Sequence, residues 1–311
     1  MRLERRRVLL RLRAARRRRS ERRPPARLRR PDHPGSRALN APARPPLAFH
    51  LANANGFPPG CYRRLVARLA ARGEVLVTPQ PGLDADEPPP VGDPWRAYAA
   101  RIGETVSGRP PVVGVGHSLG AVATLYAAAA APARFRALVL VEPVFVPPVG
   151  IFLGRWAPWA VPGRSAFLGA AARRRARFPD EATVLATYRD KRLFRGLDDE
   201  GLRDCVSAMF RRDEFGDGVL LRLPLAWELA VFSSYPPVWG ALARLPRTLP
   251  VVGIRGAETT TLRPEAWRRW RRLRPQHRLV ELGGLGHLAP LEAPDRVADA
   301  ALDALDAVLA S

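Results

Sequence analysis

The stretch from Val112 to Ala131 constrains the fold more than any other, because it switches from a strand pattern to a helix pattern across five residues. Val112, Val113 and Val115 form a β-branched run bounded by Pro111 and Gly116, whereas Ala121 to Ala131 favours helix throughout. The link between them is Gly116-His117-Ser118-Leu119-Gly120, a G-x-S-x-G pentapeptide. Between a strand and a helix this pattern is a nucleophile elbow, whose tight turn strains the serine backbone and presents its hydroxyl. Glycine is expected at 116 and 120 because side chains there would collide as the elbow closes. Ser118 is the candidate nucleophile.

A serine hydroxyl needs a base, and the chain holds five histidines. His287 follows the apolar run Leu279, Val280, Leu282 and the glycine-rich loop Gly283-Gly284-Leu285-Gly286, and precedes a helical segment. Strand, loop, histidine, helix is an order that carries an imidazole to the carboxyl edge of a sheet, where a loop can dip it toward the serine. His50, His117 and His277 read as packing residues, and His33 lies in a segment without periodicity.

These motifs resemble those of the α/β-hydrolase superfamily, over about residues 47 to 311. The segment from Phe49 to Pro58, which contains Asn55-Gly56-Phe57-Pro58, is similar to the His-x-Asn-Gly-Phe-Pro loop after the family's third strand. The resemblance implies an α/β fold: a mostly parallel doubly wound sheet with a helical cap inserted after the sixth strand. It also implies an oxyanion hole built from the backbone N–H groups of Phe57 and Leu119.

The acid departs from the commonest family pattern. Many relatives place an aspartate shortly after the seventh strand, here Pro250 to Gly256, yet the segment that follows is Ala257-Glu258-Thr259-Thr260-Thr261. A neutral threonine cannot stabilise an imidazolium as a carboxylate does. Glu142, at the end of the strand Ala137 to Val141, is the favoured acid, since some branches of the family carry theirs after that strand. Glu258 is the alternative, and a site without a working acid is the third.

Further strand candidates are Leu47 to Leu51 and Val75 to Thr78, with helical patterns at Cys61 to Ala71, Asp93 to Val106 and from Pro294 onward. Strands alternating with helices imply a parallel sheet. From about Pro147 to Leu245 the strand signal stops, leaving helical patterns at Arg164 to Arg177, Asp180 to Leu193, Asp198 to Phe210 and Pro224 to Phe232. The expected organisation is an Arg-rich extension over 1–46, a hydrolase core over 47–146 and 246–311, and a helical cap over 147–245. Phe152, Trp156, Trp159 and Phe167 are candidates for an apolar pocket above the serine.

Charge is uneven. The formal net charge is +22, and residues 1–46 supply +14 of it, with seventeen arginines against Glu4, Glu21 and Asp32. That segment lacks the aromatic residues that stack on bases, so a nucleic-acid partner is not expected. No uninterrupted apolar stretch reaches the length of a membrane span or signal peptide, which leaves a cytoplasmic protein as the default. Cys61 and Cys205 lack metal-ligand spacing and no phosphate-cradling glycine run occurs, so neither metal nor cofactor is expected.

The expected activity is hydrolysis of a carboxylic ester or related acyl bond in a small-molecule substrate, through an acyl-enzyme on Ser118 with His287 as base. A C–C bond hydrolase, a thioesterase or an acyltransferase would share the same groups, and a silent binding protein on the same scaffold is the alternative of another class. The serine argues against the dehalogenase and epoxide-hydrolase branches of the fold, which use aspartate there.

Overall fold

A computed structural model describes residues 47–83, 88–156, 164–214, 216–234 and 236–310. The Arg-rich extension, His33 and Trp159 lie outside the described residues.

The first half of the chain alternates β1 (Phe49–Ala52), α1 (Arg63–Ala70), β2 (Val75–Thr78), α2 (Pro94–Thr105), β3 (Val112–His117), α3 (Leu119–Ala130) and β4 (Phe135–Val141). An insertion follows, with α4 (Pro148–Trp156), α5 (Arg164–Ala172), β5 (Arg177–Phe178), α6 (Glu181–Arg189), α7 (Asp199–Met209), β6 (Phe210–Arg212), β7 (Val219–Leu221), α8 (Leu225–Ser233) and α9 (Val238–Arg244). The chain then returns through β8 (Val251–Gly256), α10 (Pro264–Leu273), β9 (Arg278–Leu282), α11 (Ala289–Glu292) and α12 (Pro294–Leu309).

Six strands form one sheet in the order β2-β1-β3-β4-β8-β9, and every pairing in it is parallel. Alternate strand residues supply two buried layers. Phe49, Leu51, Val113, Val115, Val139 and Val141 face the layer built with α1 and α12, while Ala52, Val112, Leu138 and Leu140 face the layer built with α2, α3 and α10. Burial on both faces explains why these strands read as continuous apolar runs, and helices on both faces make the sheet doubly wound. The strand order reverses between β1 and β3, so the crevice beyond their carboxyl ends is where a ligand binds in such sheets.

Two local rules set the helices that support this crevice. Asp93 caps α2 by accepting from the N–H groups of Trp95 and Arg96, with Pro94 in the first turn, and Pro294 likewise opens α12. Val297, Ala301 and Leu305 are the buried stripe of α12.

The insertion differs from the helical reading of 147–245. It contains a three-stranded antiparallel sheet in the order β5-β7-β6, and Gly216-Asp217-Gly218 lies in the loop that joins β6 to β7. Strands of two or three residues are too short for an alternation to register. The helical pattern over Arg164 to Arg177 accordingly ends early, at Ala172.

Candidate active site

The elbow is built as a strained junction. Ser118 has φ 54° and Glu142 has φ 50°, and among the described residues these are the two non-glycine residues in the left-handed region. Both sit one residue beyond a strand end and are tied sideways to the next strand. The Ser118 N–H donates to the Val141 carbonyl at 3.0 Å, and the Glu142 N–H to the Ile254 carbonyl at 2.8 Å. A Cβ on Gly116 would lie 2.5 Å from the Ala121 Cα, so glycine is obligatory where strand and helix converge. At Gly120 the obstacle is the adjacent strand rather than the elbow itself, because a Cβ there would lie 2.2 Å from the Ala52 carbonyl oxygen.

The side chains of Ser118, His287 and Glu142 meet at this edge. His287 Nε2 is 2.9 Å from Ser118 Oγ, and its Nδ1 is 3.0 Å from Glu142 Oε2. The carboxylate can only accept when ionised, so Nδ1 carries the proton and Nε2 is left to accept from the serine. Glu142 is fully buried, and both oxygens of its carboxylate are held: Oε1 accepts from the Gly256 N–H at 2.7 Å and Oε2 also from the Thr259 hydroxyl at 2.5 Å. The Thr259 Oγ1 itself accepts from the Thr261 N–H at 3.2 Å, which leaves its single proton for Glu142. Glu258 is exposed, and its backbone N–H donates to the Leu285 carbonyl.

Thr259 was legible only as a departure from the family pattern; the structure shows it holding the carboxylate. A second network links the other two loops. Tyr62 Oη accepts from the Ala54 N–H at 3.0 Å and lies 2.7 Å from His117 Nδ1, while His117 Nε2 lies 2.9 Å from the His287 carbonyl oxygen. A carbonyl only accepts, so His117 donates from Nε2 and accepts the Tyr62 hydroxyl proton at Nδ1. Burial, aided by the neighbouring His287, lowers the His117 pKa to about 3 and keeps the ring neutral. His117 thus holds His287 through its main chain, a contact that sequence alone did not signal.

The Asn55-Gly56 loop is a tight turn. Gly56 has φ 78°, and the Phe57 N–H donates to the Ala54 carbonyl at 3.1 Å, closing a four-residue turn of the type that needs glycine at its third position. The expected second oxyanion donor is therefore already engaged. Leu119 opens α3, where the leading N–H groups have no intrahelical acceptor. The turn is pinned from outside by Gln80, whose Oε1 accepts from the Gly56 N–H at 3.0 Å and whose Nε2 donates to Asn55 Oδ1 at 2.7 Å.

A cavity of about 600 Å³ opens over Ser118 and His287. Phe57, Trp95, Leu119, Val144, Val231 and Phe232 give it apolar walls, and none of its described lining residues is Asp, Glu, Lys or Arg. Phe167, proposed for an apolar pocket, does line it, packed edge-on against Phe232 with ring centroids 4.9 Å apart. Phe152 and Trp156 do not line it and are exposed, because they occupy the outer face of α4.

A family model described as the alpha/beta hydrolase family matches residues 49–300. No curated protein sequence matches significantly. Among solved structures, E-2-(acetamidomethylene)succinate hydrolase is 21% identical with a TM-score of 0.69, covering 84% of this chain and 91% of that one. An esterase from Thermogutta terrifontis with malate bound is 19% identical with a TM-score of 0.61, over 84% and 90% of the two chains. An esterase from M. tuberculosis is 20% identical with a TM-score of 0.62, over 84% and 85%. At these identities the likeness is one of fold.

Proposed function

Since the chain belongs to the alpha/beta hydrolase family, we propose that it is a serine hydrolase that cleaves a carboxylic ester or related acyl bond. The observation that carries this reading is the continuous hydrogen-bond path from Ser118 Oγ through the His287 ring to Glu142 Oε2. In this reading His287 Nε2 takes the Ser118 proton as Oγ attacks the carbonyl carbon, and Glu142 stabilises the imidazolium that forms. The Leu119 N–H holds the oxyanion, and the Phe57 N–H joins it by sharing its bond to Ala54. The imidazolium then protonates the leaving alcohol, and a water activated by the same ring cleaves the acyl-enzyme.

The uncharged, largely apolar cavity supports a neutral acyl group, since a carboxylate buried there would find no cationic partner. Residues 147–245 act as a cap over the site: Val146 enters them from the cavity wall, and Phe167, Leu193, Val231, Phe232 and Ser234 return from them to line it.

The test is Ser118→Ala assayed on a short-chain nitrophenyl ester. Loss of the nucleophile should lower kcat by about 10⁴-fold or more with the fold intact. Activity within tenfold of the parent would remove Ser118 from the mechanism.

A further inference from the structure

Among the described residues, the large apolar side chains left most exposed are not scattered. Of seven, five fall between residues 149 and 193: Val149 at 65%, Phe152 at 62%, Trp156 at 67%, Phe167 at 54% and Leu193 at 49%. Val149, Phe152 and Trp156 recur at the spacing of one helix face, so α4 carries an outward apolar stripe while Ile151 packs against the buried layer behind it. Contiguous exposed apolar surface of this kind marks an interaction site.

The stripe follows directly in sequence on the cavity wall. Val144 and Val146 line the cavity just before α4 begins, and Phe167 and Leu193 are both half exposed and part of its lining. Charge indicates what covers the stripe. From Pro143 to Pro179 the sequence holds six arginines and no Asp or Glu; Arg174 and Arg177 pair with Glu228 and Asp213 of the insertion, so the excess rests on Arg155, Arg164, Arg173 and Arg175. Exposed Phe and Trp within an exclusively cationic segment is the composition of an element that lies in an anionic membrane interface. A protein partner matched to the apolar stripe alone would not call for that excess.

We propose that the α4 face and the cavity rim dock on an anionic lipid surface, so that an ester dissolved in the bilayer enters the cavity without crossing water. The delivery of substrate rests on the serine-hydrolase reading; the docking does not. Among the described residues no helix is long and apolar enough to cross a membrane. The contact is interfacial.

The test is sedimentation of the full-length protein with phosphatidylcholine vesicles, with and without phosphatidylglycerol, at near-physiological salt and at severalfold higher salt. Wild type should bind the anionic vesicles and keep part of that binding at high salt, where purely electrostatic attachment is screened. The double variant Phe152→Ser, Trp156→Ser should lose roughly tenfold or more in partitioning, as expected for removing two buried rings. Its turnover of a water-soluble ester should be unchanged, which shows that it folds. Brominated lipid should quench part of the wild-type tryptophan fluorescence, and that part should vanish in Trp156→Phe. Equal partitioning of the double variant, complete loss of wild-type binding at high salt, or no binding at all would each overturn the proposal. So would a wild-type dimer that the double variant dissolves, which would assign the stripe to a second copy. If Ser118 proved inert while docking held, the surface would stand and only its link to hydrolysis would fall.

Discussion

The carboxyl edge of the six-stranded sheet and the insertion between β4 and β8 are built on opposite terms. At the sheet edge the candidate catalytic side chains are placed by backbone: strand-end N–H groups tie Ser118 and Glu142 to the next strand, and the Gly256 N–H fixes the carboxylate. In the insertion, order comes from side-chain pairs such as Arg174 with Glu228 at 2.6 Å and Arg177 with Asp213, around strands of two or three residues. A ladder tolerates almost any sequence of buried residues, so chemistry can be rigid there while the insertion changes shape and lining. Variants at the edge should therefore act on kcat, and variants in the insertion on stability and substrate fit.

The sharpest way to break this division is Glu142→Gln, which keeps size and hydrogen bonding but removes the charge beside His287. The expected loss is roughly 10²- to 10⁴-fold in kcat, with melting temperature little changed. Glu258→Gln is the matched control and should be silent; a damaging Glu258→Gln with a silent Glu142→Gln would move the acid to the loop after β8.

In the insertion, Arg174→Met leaves the nearly buried Glu228 without its ion pair, and Glu228 Oε2 has no hydrogen-bond partner among the described residues to begin with. The cost should be about 3–5 kcal/mol in a denaturant titration. An equally large fall in kcat at a temperature where the variant is folded would show that the insertion also sets the chemistry.

Acid separates the two regions next. His50, His117 and His277 all lie on or beside the main sheet, and burial lowers their pKa values to about 4, about 3 and about 4; the insertion contains no histidine. Unfolded, each binds a proton near pH 6.5, whereas the folded protein refuses it. Stability should thus be full above about pH 6.5 and fall as the pH drops toward 4, by about 1.4 kcal/mol per histidine per pH unit. Melting curves over that range check this, and a flat profile would contradict the neutral buried rings.

The smallest effect expected is at Thr259. Thr259→Val removes the hydroxyl that holds Glu142 Oε2 and should lower kcat about tenfold with KM unchanged, by the loss of one hydrogen bond to a charged group. Thr259→Ser keeps the hydroxyl and should restore the rate; equal losses in both variants would make the effect one of packing.

The same contrast explains what the sequence revealed. The central strands were readable because runs such as Val112–Val115 and Ala137–Val141 are buried on both faces, and the candidates Ser118 and His287 because each stands in a recognisable strand-turn setting. The contacts that pin the Asn55-Gly56 turn were not readable, because they come from Gln80, which is distant in sequence and carries no motif. Thr259 was misleading for a related reason. Its meaning comes from a carboxylate on the adjacent strand, and pairing between strands leaves no local pattern. In the insertion, Phe152 and Trp156 have the same composition as pocket residues, and only the packing of α4 shows that they face outward.

The central claim, that Ser118 is activated by His287, is tested most directly by reacting the protein with a fluorophosphonate and mapping the adduct by mass spectrometry. A single adduct on Ser118, strongly slowed in His287→Ala, is the predicted result. An unmodified Ser118, or modification at the same rate without the histidine, would contradict it.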